Sequence, residues 1–342
     1  MTKNIVYSST LGWNPGDEII LHGLRNLINI PHNPIIFNRS PCLANNFEAQ
    51  GYPEGASHTF PYARDLVDHF IFAGTPDYGF SSRAIYRDIQ RTGKDFSFIG
   101  VGTGIPQEAV EEIARIFDIP NNIESLNSHV FSKAKVKITR DLQAHRHLHG
   151  SHVVCCPAFF CHPELDIKPK TQKNKVAVCW QSNAIECCGV KNGKMTDMLT
   201  KFIQKNKAQA VCHSFPDFIA ASKLGLDPFF SSSYRDYFDF YKEFDLVISL
   251  RVHGSGVASS FGIPNITIGH DSRSEAVTYF GSELFTGSCN LQEYFDNIDD
   301  TEIENRSRKI IDLKREKYNQ YIDILKPAKL TTLEKYNEKD MG

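Results

Sequence analysis

The sequence predicts an α/β protein made of two Rossmann-like domains with parallel sheets, facing each other across a cleft. Short apolar segments typical of buried strands alternate with amphipathic helical segments, which is the βαβ pattern of a parallel sheet covered on both faces. Segment 166–175 is polar and basic, contains a proline and lacks apolar periodicity, so it is the best linker candidate. At 342 residues, the chain also exceeds the length that one hydrophobic core usually serves.

These observations predict an N-terminal α/β domain at 1–168, a C-terminal α/β domain at 173–325 and a charged tail at 326–342. The first domain should contain strands at 4–9, 34–37, 69–73, 96–101, 136–139 and 152–156, and helices at 18–27, 83–91, 107–117 and 141–149. The second should contain strands at 176–180, 210–212, 245–250 and 266–268, and helices near 195–204, 215–223, 234–243, 255–261, 272–280 and 303–325.

Composition and charge exclude several classes of protein. A net charge of -2 argues against a nucleic-acid binder, whose affinity depends on neutralising phosphates. No apolar run approaches bilayer length, and the first residues lead directly into a strand, so we expect no signal peptide. The nine cysteines form no C-x-x-C pair and are interpreted as reduced thiols. The chain is therefore expected to be cytoplasmic and metal-independent.

The strand ending at Leu250 leads into the segment RVHGSGVASS, which is the strongest functional signal in the sequence. Because side chains alternate across a strand, we expect Arg251 and His253 to point to the same face, with Val252 turned into the core. Gly254 and Ser255 then open a helix of small residues, whose free N–H groups favour an anion. The pattern predicts an anion site with an acid/base group beside it, although a paired arginine and a core histidine would also explain these residues.

A second signal follows the first strand, where the sequence NPGDE opens a helix. Asp17 fits the N-cap or first-turn acid of that helix, and capping alone would explain it. Alternatively, Gly16 and Asp17 face the cleft at the carboxyl edge of the sheet, where open α/β folds bind ligands.

Other polar or glycine-rich segments follow strands at the same predicted edges, as a ligand-binding edge requires. Gly102 belongs to a glycine-rich turn whose spacing is a weak match to a dinucleotide fingerprint, so we expect it to line the cleft. Tyr234 and Tyr237 either pack in the core or stack on sugar rings. The histidines between 145 and 152 are interpreted as a solvated helix end rather than a metal site.

Three of these motifs together resemble the polysaccharide pyruvyltransferase family, over roughly residues 4–285. They are the segment 14–18 (NPGDE), the segment 138–141 (ITRD), and the segment 250–254 (LRVHG) with the G-I-P that follows at 262–264. The resemblance implies a GT-B-like pair of domains and transfer of enolpyruvate from phosphoenolpyruvate onto a glycan as a ketal. Phosphoenolpyruvate would then be the donor substrate, with no further cofactor and no metal.

The resemblance also suggests roles for individual residues. Arg251 and Arg140 suit the phosphate and carboxylate of the donor, because a guanidinium binds either group bidentately. His253 is expected to donate a proton or complete the phosphate clamp, and Asp17 to act as base for the acceptor hydroxyl. The first domain would present the sugar and the second the donor. The residues expected to bind substrate are Arg140, Gly16, Gly254, Ser255, His213, His270, Asp271, Arg273, Gly74, Asp77 and Gly102.

Two alternatives stay open at this point. The same fold would serve a nucleotide-sugar-dependent glycosyltransferase, in which Arg251 and the helix start bind a diphosphate. A non-catalytic module that binds glycan or phosphate is the other alternative. The sequence leaves open the acceptor sugar and the oligomeric state, as well as whether the acceptor is lipid-linked, which would bring the protein to a membrane surface.

Overall fold

A computed structural model describes residues 2–8, 14–37, 66–74, 83–182, 193–269, 272–285 and 290–337 of the chain. By the contacts its residues make, the chain divides into two compact units. The first comprises Met1–Trp13, Ile20–Pro157 and Tyr318–Gly342, and the second comprises Asn14–Ile19 and Ala158–Lys317. The units interleave along the chain, whereas the domains predicted from the sequence are consecutive.

The first unit is built on a six-stranded parallel sheet in the order β2-β1-β3-β4-β5-β6. Because β1 pairs with both β2 and β3, the chain reverses direction across the sheet at β1, and this topological switch point lies between β1 and β3. The strands are β1 (Lys3–Ser8), β2 (His32–Phe37), β3 (His69–Ala73), β4 (Asp95–Val101), β5 (Lys137–Thr139) and β6 (His152–Val153).

Helices of the first unit pack their apolar faces on an aromatic core. The Phe72 ring lies 4.8 Å from both Tyr86 and Phe98, measured between ring centroids, and all three side chains are fully buried.

Helix α4 was not predicted, because its polar sequence IESLNSH has little apolar periodicity. The helices are α1 (Pro15–Leu27, whose first residues up to Ile19 belong to the second unit), α2 (Arg83–Thr92), α3 (Gln107–Phe117), α4 (Ile123–His129) and α5 (Leu142–His147).

The second unit is built on a five-stranded parallel sheet in the order β11-β10-β9-β7-β8. Its first strand, β7, pairs with both β8 and β9, which places a second topological switch point between β7 and β9. The strands are β7 (Val176–Trp180), β8 (Gln209–Cys212), β9 (Leu246–Ser249), β10 (Asn265–Ile268) and β11 (Glu283–Phe285), of which β11 was not predicted.

Helices of the second unit largely follow the prediction, with two corrections. Segment Ser272–Phe280 is a 3-10 helix rather than an α-helix, and α10 was not predicted. Tyr234 and Tyr237 are buried, so they pack in the core and do not offer a face to a sugar. The helices are α6 (Gly193–Asn206), α7 (Phe215–Lys223), α8 (Tyr234–Tyr241), α9 (Val252–Ser260), α10 (Leu291–Asp296) and α11 (Asp300–Leu325, which belongs to the first unit from Tyr318 onward).

The chain beyond α11 packs on the first unit up to residue 337. Leu330 is fully buried, and Thr332 donates its backbone N–H to Asn29 Oδ1 at 2.7 Å. This part of the predicted charged tail is therefore held by specific contacts. In the described ranges, no helix combines the length and apolarity that crossing a bilayer requires.

Lys314 on α11 is fully buried and fixes the carboxyl end of α9. Its Nζ donates to the carbonyl oxygens of His162 (2.8 Å), Glu164 (2.7 Å) and Ser260 (2.7 Å). Burial lowers the pKa of this amine to about 7. In its charged form the amine has three N–H groups, and each of them has one of these carbonyl oxygens as its acceptor. Ser260 is the last residue of α9, so Lys314 satisfies a carbonyl that the helix itself leaves unpaired.

We expect Lys314→Met to lower the free energy of unfolding by about 2 kcal/mol or more, because the buried Ser260 carbonyl and two part-buried carbonyls lose their donor. Urea denaturation of the purified protein measures this difference. Lys309→Met, on the exposed side of the same helix, is the control and should change stability by less than about 0.5 kcal/mol. Equal stability of the two variants would show that the amine contributes nothing at this position.

Candidate functional site

The turn between β9 and α9 places Arg251 and His253 at the carboxyl end of the second sheet. β9 ends at Ser249, and Arg251 is the N-cap of α9 with φ -120° and ψ 132°. The Ser249 hydroxyl donates to the Arg251 carbonyl at 2.7 Å and accepts from the Arg251 N–H at 3.1 Å. Because this hydroxyl turns the chain early, the predicted strand alternation through His253 is wrong: His253 lies in the first helical turn, and Val252 is half-buried.

The Arg251 guanidinium is held by an acid that the sequence analysis did not select. Arg251 Nη2 donates to Asp217 Oδ2, and the two side chains are 19% and 3% exposed respectively. Asp217 Oδ2 also accepts from Ser214 Oγ at 2.6 Å. Asp217 Oδ1 accepts from the backbone N–H of Ser182 at 2.8 Å and from its hydroxyl at 2.7 Å. Four donors therefore converge on one buried carboxylate.

Burial alone would raise the pKa of the Asp217 carboxyl, but Arg251 and the hydrogen bonds from Ser214 and Ser182 outweigh it and hold the pKa below its usual value. The carboxylate is charged at neutral pH. One signal of Asp217 was present in the sequence, since Ser214-x-x-Asp217 at the start of α7 has the form of a capping box. Ser214 does cap α7, accepting from the Asp217 N–H, but the Asp217 carboxylate turns to Ser182 and Arg251 instead.

This network lies at the topological switch point of the second sheet. Ser182 follows β7 and Arg251 follows β9, and these adjacent parallel strands belong to connections that run in opposite directions across the sheet. Ligands of open α/β folds bind outside the carboxyl ends of strands at such a point. The position of the network therefore supports a ligand-binding role.

His213, predicted to bind substrate, lies in the interior beside this network, with only 2% of its surface exposed. Its Nε2 is 3.0 Å from the Tyr241 hydroxyl, and its ring makes an edge contact with Tyr237 at 4.8 Å. Burial, with the nearby charge of Arg251, lowers the pKa of His213 to about 3, against the opposing effect of Asp217. The imidazole is therefore neutral at physiological pH.

His253 packs directly against the first turn of α1. A Cβ atom added to Gly16 would lie 2.0 Å from His253 Nδ1, so the ring occupies the space that glycine leaves. Asn14 Oδ1 accepts the Gly16 N–H at 2.8 Å, which makes Asn14 the cap and Asp17 a buried first-turn acid. Two of the three sequence motifs, segments 14–18 and 250–254, thus meet within the second unit.

The small residues of α9 serve close packing on the sheet. A Cβ on Gly254 would lie 2.6 Å from Ser249 Oγ and 2.8 Å from Cys179 Sγ. Ser255 is fully buried, and its hydroxyl lies 2.5 Å from that of Thr267. These contacts give both residues a packing function, and their expected contact with substrate stays a prediction.

In the first unit, the structure brings together three other predicted residues. Arg140 is 2% exposed, and its Nη1 donates to the Gly74 carbonyl at 2.8 Å. A Cβ on Gly102 would lie 2.1 Å from Arg140 Nε, so the guanidinium packs against that glycine. Asp141 caps α5 through Ala144 and accepts the Thr103 N–H at 2.8 Å. The expected role of Arg140 as an anion ligand stays a prediction.

The remaining predicted residues divide into two sets. His270, Asp271 and Asp77 lie outside the described residues, and Arg273 is exposed on the 3-10 helix after β10.

Across the described ranges, no group of three or more histidine, cysteine or acidic side chains is arranged to hold a metal ion. Of the histidines near residue 145, His145 pairs with Ser151 and His147 accepts the Ile105 N–H, so both have local structural partners.

Comparison with solved structures identifies the fold. A UDP-GlcNAc 2-epimerase from Neisseria meningitidis, bound to UDP-GlcNAc, is similar with a TM-score of 0.57 at 11% identity, covering 95% of this chain and 99% of its own. The glycosyltransferase SnogD from Streptomyces nogalater has a TM-score of 0.53 at 12% identity, covering 96% and 100%. A UDP-GlcNAc 2-epimerase from Methanocaldococcus jannaschii, in complex with UDP-GlcNAc and UDP, has a TM-score of 0.51 at 10% identity, covering 96% and 100%.

These similarities span nearly the whole chain and assign it to the class of GT-B folds, which confirms the predicted architecture of two parallel-sheet α/β domains. A comparison with protein-family models found no match, and neither did a search of curated proteins. At 10–12% identity, the similarity establishes the fold alone.

The buried neutral His213 should make stability depend on pH. An unfolded histidine, with the ordinary pKa of 6.5, binds a proton as the pH falls below that value, whereas the folded group binds one only near pH 3. The stabilisation is therefore complete above pH 6.5 and lost as the pH falls. Between pH 7 and pH 5, the wild type should lose about 2 kcal/mol more unfolding free energy than His213→Gln. Denaturant unfolding at both pH values measures this, with exposed His152→Gln as the control expected to behave as wild type. A His213→Gln variant with wild-type pH dependence would contradict the assignment.

Gly16→Ala should displace His253 without unfolding the protein. Alanine suits a helical position, so we expect unfolding free energy to change by less than about 1 kcal/mol while the added methyl group drives the ring away. Side-chain NMR of labelled histidines should show shifted His253 resonances and unchanged His213 resonances. Unchanged His253 resonances would contradict the contact.

Proposed function

We propose that this chain is a GT-B-fold enzyme that acts on a sugar by means of a phosphate-bearing donor bound at Arg251 and His253. The observation that carries the proposal is the Arg251–Asp217–Ser182 network at the switch point of the second sheet, with His253 in the first turn of α9. A guanidinium of fixed orientation beside a helix N-terminus and an imidazole suits phosphate binding and proton transfer.

A nucleotide-sugar donor is the first candidate. The similar structures include UDP-GlcNAc 2-epimerases and a glycosyltransferase, and two of them contain UDP-GlcNAc. In this reaction, Arg251 and the first turn of α9 would bind the diphosphate, which leaves with the nucleotide when the sugar is transferred.

Pyruvyl transfer from phosphoenolpyruvate is the second candidate, and the contact between Gly16 and His253 favours it. This contact joins two of the three motifs that resemble the polysaccharide pyruvyltransferases. Protonation of the donor methylene group creates an electrophilic carbon, one sugar hydroxyl attacks it, phosphate leaves, and a second hydroxyl closes the ketal. Arg251 would hold an anionic group of the donor, and His253 would donate the proton or bind phosphate. Asp17 would accept the proton of one hydroxyl, and the departing phosphate would accept the proton of the other.

The two donors are distinguished by incubating the protein with a glycan panel and either phosphoenolpyruvate or UDP-sugars. Release of phosphate together with a pyruvate-sized mass gain on a glycan identifies pyruvyl transfer. Release of UDP, or epimerisation of the UDP-sugar, identifies nucleotide-sugar chemistry. No turnover of either donor class, with a folded protein, would overturn the proposal in favour of a non-catalytic binding module.

With the active donor, Arg251→Ala and His253→Ala should each reduce turnover by about a hundredfold or more, because each removes a fixed polar group at the reacting centre. Arg308→Ala, which removes an exposed guanidinium on α11, is the control and should keep wild-type turnover. Steady-state kinetics measure all three variants. Full activity of either site variant would remove that residue from the site.

A further inference from the structure

We propose that Asp217 is a positioning residue that holds the Arg251 guanidinium in the orientation in which it binds the donor phosphate. The proposal rests on the proposed function for its effect on binding, and on the geometry of the second unit for the contact itself. Asp217 is enclosed, with 3% of its side chain exposed, and it acts through Arg251.

The contacts of the carboxylate set its orientation first. Both oxygens of Asp217 accept two hydrogen bonds, from Ser182 on one side and from Ser214 and Arg251 on the other. Ser182 and Ser214 follow adjacent parallel strands, so the carboxylate is tied to the edge of the sheet. A carboxylate with all its acceptor positions occupied cannot rotate without breaking several of these bonds.

The contacts of the guanidinium then depend on that carboxylate. Among the described residues, Asp217 is its one hydrogen-bond partner, and Arg251 Nε is buried without one. Arg251 nevertheless keeps 19% of its side chain exposed, whereas Asp217 keeps 3%. One member of the pair is therefore enclosed and the other reaches the edge of the sheet. An arginine held in this way has already lost its rotamer freedom before a ligand binds, which is the advantage of preorganisation.

A purely structural ion pair would satisfy the same distances, so the experiment has to separate the two roles. Asp217→Asn keeps the shape of the side chain and removes its charge. Asp239→Asn is the matched control, since it breaks an exposed ion pair, with Lys242 at 2.6 Å, in the same unit. Ser182→Ala removes one donor to the carboxylate and serves as a milder variant if Asp217→Asn does not fold.

Binding is measured by calorimetry with UDP and with phosphoenolpyruvate on wild type, the Asn variants and Arg251→Ala. We expect Asp217→Asn to raise the dissociation constant of the ligand that binds wild type by about tenfold to a hundredfold, as for loss of a hydrogen bond to a charged group. In an Arg251→Ala background the same substitution should change affinity less than twofold, because Asp217 acts only through Arg251. Equal losses in both backgrounds would overturn the proposal and indicate a structural role.

NMR of arginine side chains provides a readout that needs no ligand. In wild type the Arg251 guanidinium protons should show hindered rotation and slow exchange, and Asp217→Asn or Ser182→Ala should abolish or weaken this, while Asp239→Asn leaves it unchanged. Free rotation of Arg251 in wild type would overturn the proposal. If neither UDP nor phosphoenolpyruvate binds wild type, the proposed function fails with these donors, and the NMR result still decides whether Asp217 holds Arg251.

Discussion

The buried carboxylate of Asp217 is the constraint on which the candidate site depends. Removing a carboxylate from water is costly unless its oxygens are fully hydrogen-bonded and its charge is compensated, and here both conditions are met by groups from three separate turns. Those turns follow β7, β8 and β9, so the carboxyl ends of three parallel strands are held in register at one point. The switch in strand order determines where this point lies. There the connections that follow β7 and β9 run in opposite directions, which leaves room for a ligand between them.

The helix that carries His253 is fixed at both ends by different means. At its start, Ser249 shapes the turn and Gly16 admits the imidazole; at its end, the Lys314 ammonium satisfies the Ser260 carbonyl. Between them, glycine and serine let α9 approach β7 and β9 closely. The small residues in this helix therefore have a packing role, whether or not a ligand also approaches them. Tight packing keeps the first turn of the helix, which carries the positive end of its dipole, in a constant position.

Much of this fold could be predicted from the sequence because its strands and helices are strongly periodic. The bounds of β3, β7, α3 and α7 agree with the sequence prediction, whereas α4 and β11 are short or polar and leave no periodic signal. The site could be predicted only in part. Arg251, His253 and Gly16 stand in recognisable motifs, but the wrong alternation at Val252 arose because one serine hydroxyl ended the strand early. Asp217 could not be selected, since its partner Arg251 lies 34 residues away and its local pattern reads as a helix cap.

The charge of the proposed site, rather than the fold, restricts which donor could bind there. The pair of Arg251 and Asp217 carries no net charge, so a donor with two or more negative charges cannot be balanced by Arg251 alone. Further compensation has to come from the helix start and from His253 if it is protonated, and the nearby His213 cannot contribute because it is neutral. A diphosphate spreads its charge over two groups that the backbone N–H groups of a helix can share, whereas phosphoenolpyruvate concentrates a phosphate and a carboxylate on three carbons and requires a second cation. Under the proposed function, the class of donor is thus selected by the positive groups that the ligand can recruit, a property of a few side chains that the GT-B architecture leaves free to vary.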